Sequence, residues 1–156
     1  MAQGETVGSL DQSVGYVLKQ AAAALRAAMD AVLRPLELSV PQYACLELLA
    51  QRPGLSNAEL ARGAFVTRQS MNGVLRGLQD RGLVTRPATA PHGRALPTRL
   101  TPEGGRQLHA ASVAVRAVEQ QMLASFSPSR QDRLRGDLAD CAAALAPHRV
   151  AQPVDG

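Results

Sequence analysis

The sequence predicts a mainly α-helical protein that carries one small β-hairpin. Three observations predict it. Apolar residues recur at three- and four-residue spacing along most of the chain. Helix-start chemistry stands at Ser39, Ser56, Thr67, Thr101 and Ser127. The stretch from Leu83 to Leu100 joins two strand-like segments through a loop rich in proline and glycine.

The elements follow in order. Residues 1–8 and 147–156 are polar and read as disordered ends. From Ser9 to Leu33 the chain is rich in Ala and Leu, with no glycine after Gly15. Val14, Val17, Leu18, Ala21, Leu25, Ala28, Met29, Val32 and Leu33 keep helical spacing, and Pro35 ends this first helix. Ser39 and Gln42 form a capping box for the second, whose buried face reads as Tyr43, Leu46, Leu49 and Ala50. Pro53-Gly54 closes it.

Ser56 and Glu59 form another capping box. They open a very short helix over 57–62, with Leu60 and Ala61 inward and Gly63 as its stop. Thr67 caps the next helix, 68–81, which buries Met71, Val74, Leu75 and Leu78. Its other face carries Arg68, Gln69, Ser70, Asn72, Gly73 and Arg76, and Gly82 stops it. Leu83–Arg86 and Ala95–Leu100 read as the paired strands. A helix from Thr101-Pro102 to about Phe126 follows, and the last runs from Ser127-Pro128 to about Leu145.

Two short helices, a tight turn and a hairpin are the layout of a winged helix-turn-helix. In such a unit the second helix lies in the DNA major groove, and its N-terminal residues reach base edges. Here these are Thr67, Arg68, Gln69, Ser70 and Asn72. Arginine reads guanine, and Gln or Asn reads adenine, each by a bidentate pair. Ser56, Asn57 and Arg76 are further DNA-contact candidates.

Charge supports this placement. Residues 1–55 carry a net −1, residues 56–106 a net +5, and residues 107–156 a net zero. A basic third between neutral flanks is the footprint of a nucleic-acid module. Aromatic residues make up only 3% of the chain, too few for a stacking platform, which favours double-stranded DNA over single strands or RNA loops. No P-loop, nucleotide fingerprint or nucleophile motif is present, so the chain does not read as an enzyme. Cys45 and Cys141 lie in helix-like apolar runs and read as small core residues. With His92, His109 and His148 scattered, no metal site and no cofactor are expected. The N-terminus lacks the pattern of a secretory signal, and no stretch is long enough to span a membrane; the expected location is the cytoplasm.

The sequence resembles the MarR family of bacterial regulators over about residues 10–146. The resemblance rests on Leu55-Ser56-Asn57-Ala58-Glu59-Leu60-Ala61, on Thr67-Arg68-Gln69-Ser70-Met71, and on Leu78-Gln79-Asp80-Arg81-Gly82-Leu83-Val84. It continues through Gly93-Arg94-Ala95 and Arg99-Leu100-Thr101-Pro102-Glu103-Gly104. It implies a homodimer built by the first and last two helices, from residues 9–36 and 102–146, around a DNA-binding domain over 39–101. It also implies a wing whose arginine, Arg94, enters the minor groove. His92, a second DNA-contact candidate on the wing, stands where the family usually has an acid two positions before that arginine, and Gly73 where many members have a basic residue.

The function so implied is a ligand-responsive repressor on a pseudo-palindromic operator. An apolar crevice for a small hydrophobic or phenolic effector is expected near the Pro35 break, at Met29, Leu33, Leu36 and Tyr43. The competing reading is a winged-helix architectural or protein-interaction module with no operator of its own.

Overall fold

The computed structural model describes residues 8–86 and 97–147. Its α-helices are α1 (Val14–Leu33), α2 (Val40–Gln51), α3 (Asn57–Gly63), α4 (Arg68–Asp80), α5 (Pro102–Met122) and α6 (Pro128–Leu145). Strands β1 (Val84–Thr85) and β2 (Arg99–Leu100) pair antiparallel, with Val84 opposite Leu100 and Thr85 opposite Arg99. Among the described residues no helix is long and apolar enough to cross a membrane. The chain divides into two compact units, one up to Gln120 and one from Gln121 onward.

The helix starts follow from local chemistry. Ser39, Ser56, Thr67 and Ser127 each accept a hydrogen bond from the backbone N–H three residues on. A cap of this kind contributes about 1 kcal/mol. At Ser39 the box is complete, because the Gln42 side chain accepts from the Ser39 N–H at 3.0 Å. At Ser56 only half of it forms. The Ser56 hydroxyl donates to Glu59 Oε1 at 3.1 Å, so the carboxylate is turned to the side chain rather than the backbone. Helix α1 starts later than Ser9. A single 3-10 turn at Leu10–Gln12 precedes it, and Ser13 is its cap.

Helix ends depart more from the sequence expectation. Three share one geometry, in which a left-handed residue lets the next N–H reach back five residues while its own reaches back three. At the end of α4 this residue is Gly82 (φ 71°), as expected. At the α1–α2 corner it is Glu37 (φ 56°), because Pro35 sits inside a 3-10 turn, Arg34–Leu36, that carries the chain past the end of α1. At the end of α3 it is Phe65 (φ 59°), not Gly63. Gly63 is the last helical residue and serves close packing instead: a Cβ there would lie 2.8 Å from Leu48 Cδ1.

The core of the first unit gathers around Leu33, Leu46, Leu60, Met71, Leu75 and Leu78, all fully buried. Each such side chain contributes about 1.5–3 kcal/mol through burial. On α2 the buried residues are Cys45, Leu46 and Leu49, whereas Ala50 is exposed and Tyr43 half-buried. The inward face is therefore turned from the expected one, with the small thiol taking a core place. On α4, Val74 is only half-buried beside Met71, Leu75 and Leu78.

Ala95 and Leu96 of the expected second strand lie outside the described residues, and strand β1 starts one residue later than expected because Leu83 is spent on the turn. Its N–H donates to Leu78 O at 2.9 Å, and its carbonyl accepts from the Thr101 N–H at 3.1 Å. The Thr101 hydroxyl donates to Gly82 O at 2.6 Å and accepts from the Gly104 N–H at 3.0 Å. Gly104 is buried against the same place, where a Cβ would overlap the Leu83 carbonyl oxygen.

In the second unit Ser127 caps α6, and the Arg130 guanidinium lies 3.8 Å from the centre of the Phe126 ring. Gln131 donates to Phe126 O at 3.1 Å. Phe126 is thus committed to the approach to α6, which is why α5 ends at Met122 rather than near Phe126. No residue of α6 is buried. Cys141, expected in a core, is exposed for that reason, while Cys45 is buried.

The Gly104 contact has a measurable consequence. Gly104→Ala should destabilise the protein by about 1–3 kcal/mol, as overpacking does. Gly105→Ala, one residue on with nothing within 4 Å of its added carbon, should be neutral or stabilise by about 0.5–1 kcal/mol. Denaturant unfolding of both variants checks this. Equal effects would show that α5 does not seat on Leu83.

Candidate nucleic-acid interface

Helix α4 is strongly two-faced. Met71, Leu75 and Leu78 fix one side in the core. Arg68, Gln69, Ser70, Asn72, Gly73 and Arg76 lie exposed on the rest. Thr67 holds the first turn: its Oγ1 accepts from the Ser70 N–H at 3.0 Å and donates to Ser70 Oγ at 3.0 Å. The hydroxyls of Thr67 and Ser70 are therefore engaged with each other, and Arg68 and Gln69 project beside them.

The preceding helix is tied to this face by its first residue. Asn57 Nδ2 donates to Asn72 Oδ1 at 3.0 Å. That bond joins the starts of α3 and α4, and it occupies the oxygen that Asn72 would offer to an adenine amino group. Ser56 is exposed, with its hydroxyl used as the α3 cap. Arg68, Gln69 and Arg76 make no hydrogen bond or ion pair among the described residues, so their polar heads are available to a ligand. Thus Ser56, Asn57, Thr67, Arg68, Gln69, Ser70, Asn72 and Arg76 come together around one helix start and its exposed face. His92 and Arg94, the wing candidates, lie outside the described residues.

Sequence reasoning passed over two residues here. Phe65, in the α3–α4 turn, is 94% exposed with a left-handed backbone. Arg81, just past α4, donates to the carbonyls of Glu37 (2.5 Å) and Leu36 (3.3 Å). Phe65 falls in no motif, and Arg81 stands inside the segment 78–84, but its contact with the α1–α2 corner needs the fold.

The sequence profile of the MarR family matches residues 36–95. The HTH-type transcriptional repressor Rv2887 of Mycobacterium tuberculosis is 46% identical over 121 residues, covering 78% of this chain and 87% of its own. The chain belongs to the MarR family. Crystal structures of Rv2887 superpose on it closely in fold. The complex with DNA has a TM-score of 0.68 at 41% identity, over 82% of this chain and 96% of that one. The complex with salicylic acid has a TM-score of 0.69 at 44% identity, over 82% and 95%. The mainly helical winged-helix fold is therefore that of MarR proteins, whose named relatives are transcriptional regulators.

In this MarR-family chain the effector candidates do not stand alike. Leu33 is fully buried and belongs to the core. Met29, Leu36 and Tyr43 pack against that core and are partly exposed. Gln107 of α5 donates to Leu36 O at 2.8 Å, so the Pro35 corner is held from α5 as well as by Arg81. Burial raises the Tyr43 phenol above its ordinary value; Ser112 and Arg116 oppose the rise, and Glu47 and Glu119 add to it. Separately, an open cleft of about 360 Å³ lies between the end of α2 and β2, lined by Leu49, Pro53, Thr98 and Leu100 among others.

Burial pushes the Cys45 thiol from 9.0 up to about 12. A raised value means the folded state holds the proton more tightly. The associated stability is complete below the ordinary value and is lost as pH climbs through about 12. The thiolate is the reactive form, so Cys45 should be inert to a thiol reagent at pH 8. In a Cys141→Ser protein, an aromatic disulfide reagent should titrate no thiol until denaturant is added. Rapid modification of the folded variant would show that Cys45 is accessible.

Proposed function

We propose that this protein is a ligand-responsive transcriptional repressor that binds a pseudo-palindromic operator as a homodimer. The observation that carries the reading is the exposed start of α4, where the side chains of Arg68 and Gln69 have no partner among the described residues, on a helix locked from behind by Met71, Leu75 and Leu78. A rigid helix with an unengaged amide at Gln69 suits base readout in the major groove, and the guanidinium of Arg68 beside it can meet a phosphate or a base edge. The net +5 of residues 56–106 supplies the phosphate attraction. In this reading residues 39–101 are the DNA-binding domain, and residues 9–36 and 102–146 form the dimerisation region. Exposed Val14, Val17 and Leu18 on α1, and exposed Leu138 and Leu145 on α6, support the second assignment as apolar surface suited to a partner.

Rv2887 has been crystallised both with DNA and with salicylic acid. By similarity, the effector proposed here is a small phenolic acid seated at the Pro35 corner, where Met29, Leu36 and Tyr43 are reachable over the buried Leu33. Its binding favours a conformation with lower affinity for the operator.

Selection from genomic DNA fragments with the purified protein should recover a duplex with two half-sites about one helical turn apart. Added salicylate should release that duplex. Failure to enrich any duplex would overturn the repressor reading. On the selected operator Gln69→Ala should cost about 1–3 kcal/mol of binding, with little change on random DNA. Equal losses on both would show that Gln69 does not read sequence. Arg94→Ala should make the salt dependence of operator binding shallower by about one unit of log–log slope. An unchanged slope would remove Arg94 from the interface.

A further inference from the structure

Between α2 and β2, Phe65 is the one large apolar residue left exposed among the described residues. The other exposed large apolar residues lie before α2 or on α5 and α6. Its exposure is 94%, so the ring makes almost no contact within the chain. Its backbone is left-handed at φ 59°, a conformation suited to glycine. The turn is nonetheless ordered, because the Val66 N–H donates to Ala61 O at 3.0 Å and the Phe65 N–H to Arg62 O at 3.3 Å. A buried ring would repay such a backbone through packing, and this one is almost wholly exposed.

The neighbours suggest an occupant. Thr67, two residues on, caps the helix read above as entering the groove. Arg62 and Arg68, three residues to either side, are both exposed, and their guanidinium groups make no ion pair or hydrogen bond among the described residues. An exposed ring with an unengaged arginine three residues to either side in sequence matches a deoxyribose between its two phosphates. The sugar presents C–H faces to the ring, and each phosphate takes a bidentate arginine.

We propose that Phe65 is a DNA-backbone contact, laying its ring against a deoxyribose at the edge of the major groove while Arg62 and Arg68 hold the flanking phosphates. The contact positions α4 and carries no base information, as sugar and phosphate contacts generally do. It rests on the repressor reading and extends it by a residue that neither the resemblance nor the comparisons mark.

The test compares wild type with Phe65→Gly and Phe65→Asn, both of which tolerate the left-handed backbone and lack the ring. In the free protein, Phe65→Gly should raise Tm by about 2–4 °C, because the turn is relieved and no packing is lost. Both variants should bind DNA about fivefold more weakly, by equal factors on operator and random duplex, for the apolar area left in water. The salt slope should stay that of wild type, since no charge is removed. Wild-type affinity in either variant would overturn the proposal. So would a change of oligomeric state in sedimentation, which would assign the ring to a second copy of the chain. A wild-type protein that selects no duplex would instead overturn the repressor reading, and this contact with it.

Discussion

The backbone of Gly82 and Leu83 is the constraint on which the arrangement of α4, the hairpin and α5 depends. Four contacts meet there. The Leu83 N–H closes α4, its carbonyl receives the Thr101 N–H after β2, the Thr101 hydroxyl holds Gly82 O, and buried Gly104 lets α5 start in contact with the same carbonyl. Only a residue without a side chain permits that approach, and only a left-handed Gly82 aims Leu83 at it. The Gly-Leu-Val and Leu-Thr-Pro-Glu-Gly segments therefore form one joint, written twice in the sequence on either side of the wing. Arg81 extends it by binding the carbonyls of the α1–α2 corner, and Gln107 reaches the same corner from α5. The end of α4 is thereby fixed against both neighbouring helices.

Much of this was legible from residue types. Helix starts announce themselves because a capping hydroxyl acts within three residues, so Ser39, Thr67 and Ser127 could be placed without knowing the fold. Gly82 was legible as a stop for the same local reason. Gly63 misled because glycine answers two different demands, a left-handed turn and a close approach, and the second depends on Leu48 of another helix. Phe65 and Glu37 take the left-handed role against residue preference, so no propensity argument finds them. On α2, Cys45 and Ala50 are both small and apolar, and only packing against α3 and α4 decides which turns inward.

The candidate site divides along the same line. The polar side of α4 could be drawn from the positions of Met71, Leu75 and Leu78, because helical periodicity determines which residues oppose them. The Asn57–Asn72 bond could not, since it spans two helices whose angle the sequence does not state. Apolar periodicity showed the effector candidates as one stripe. It could not separate Leu33, sealed in the core, from Met29, Leu36 and Tyr43 at its margin. A stripe records which way a helix faces, and depth below the surface is set by what lies across from it.

The side chains around α4 also sort by what they are free to do. The short polar ones are spent on architecture: Ser56 and Thr67 cap, Ser70 bonds Thr67, and Asn57 holds Asn72. The long ones, Arg62, Arg68, Gln69 and Arg76, remain without partners among the described residues. This division has an energetic logic. A helix already fixed by its caps and core loses no backbone entropy on binding, so the cost of association falls mainly on the few long side chains that must be ordered. Those same chains have the longest reach from the helix surface. Rigidity behind and unengaged side chains in front are thus produced by side-chain length at neighbouring positions; in the contact proposed for it, the ring of Phe65 would add reach without a flexible chain to be ordered.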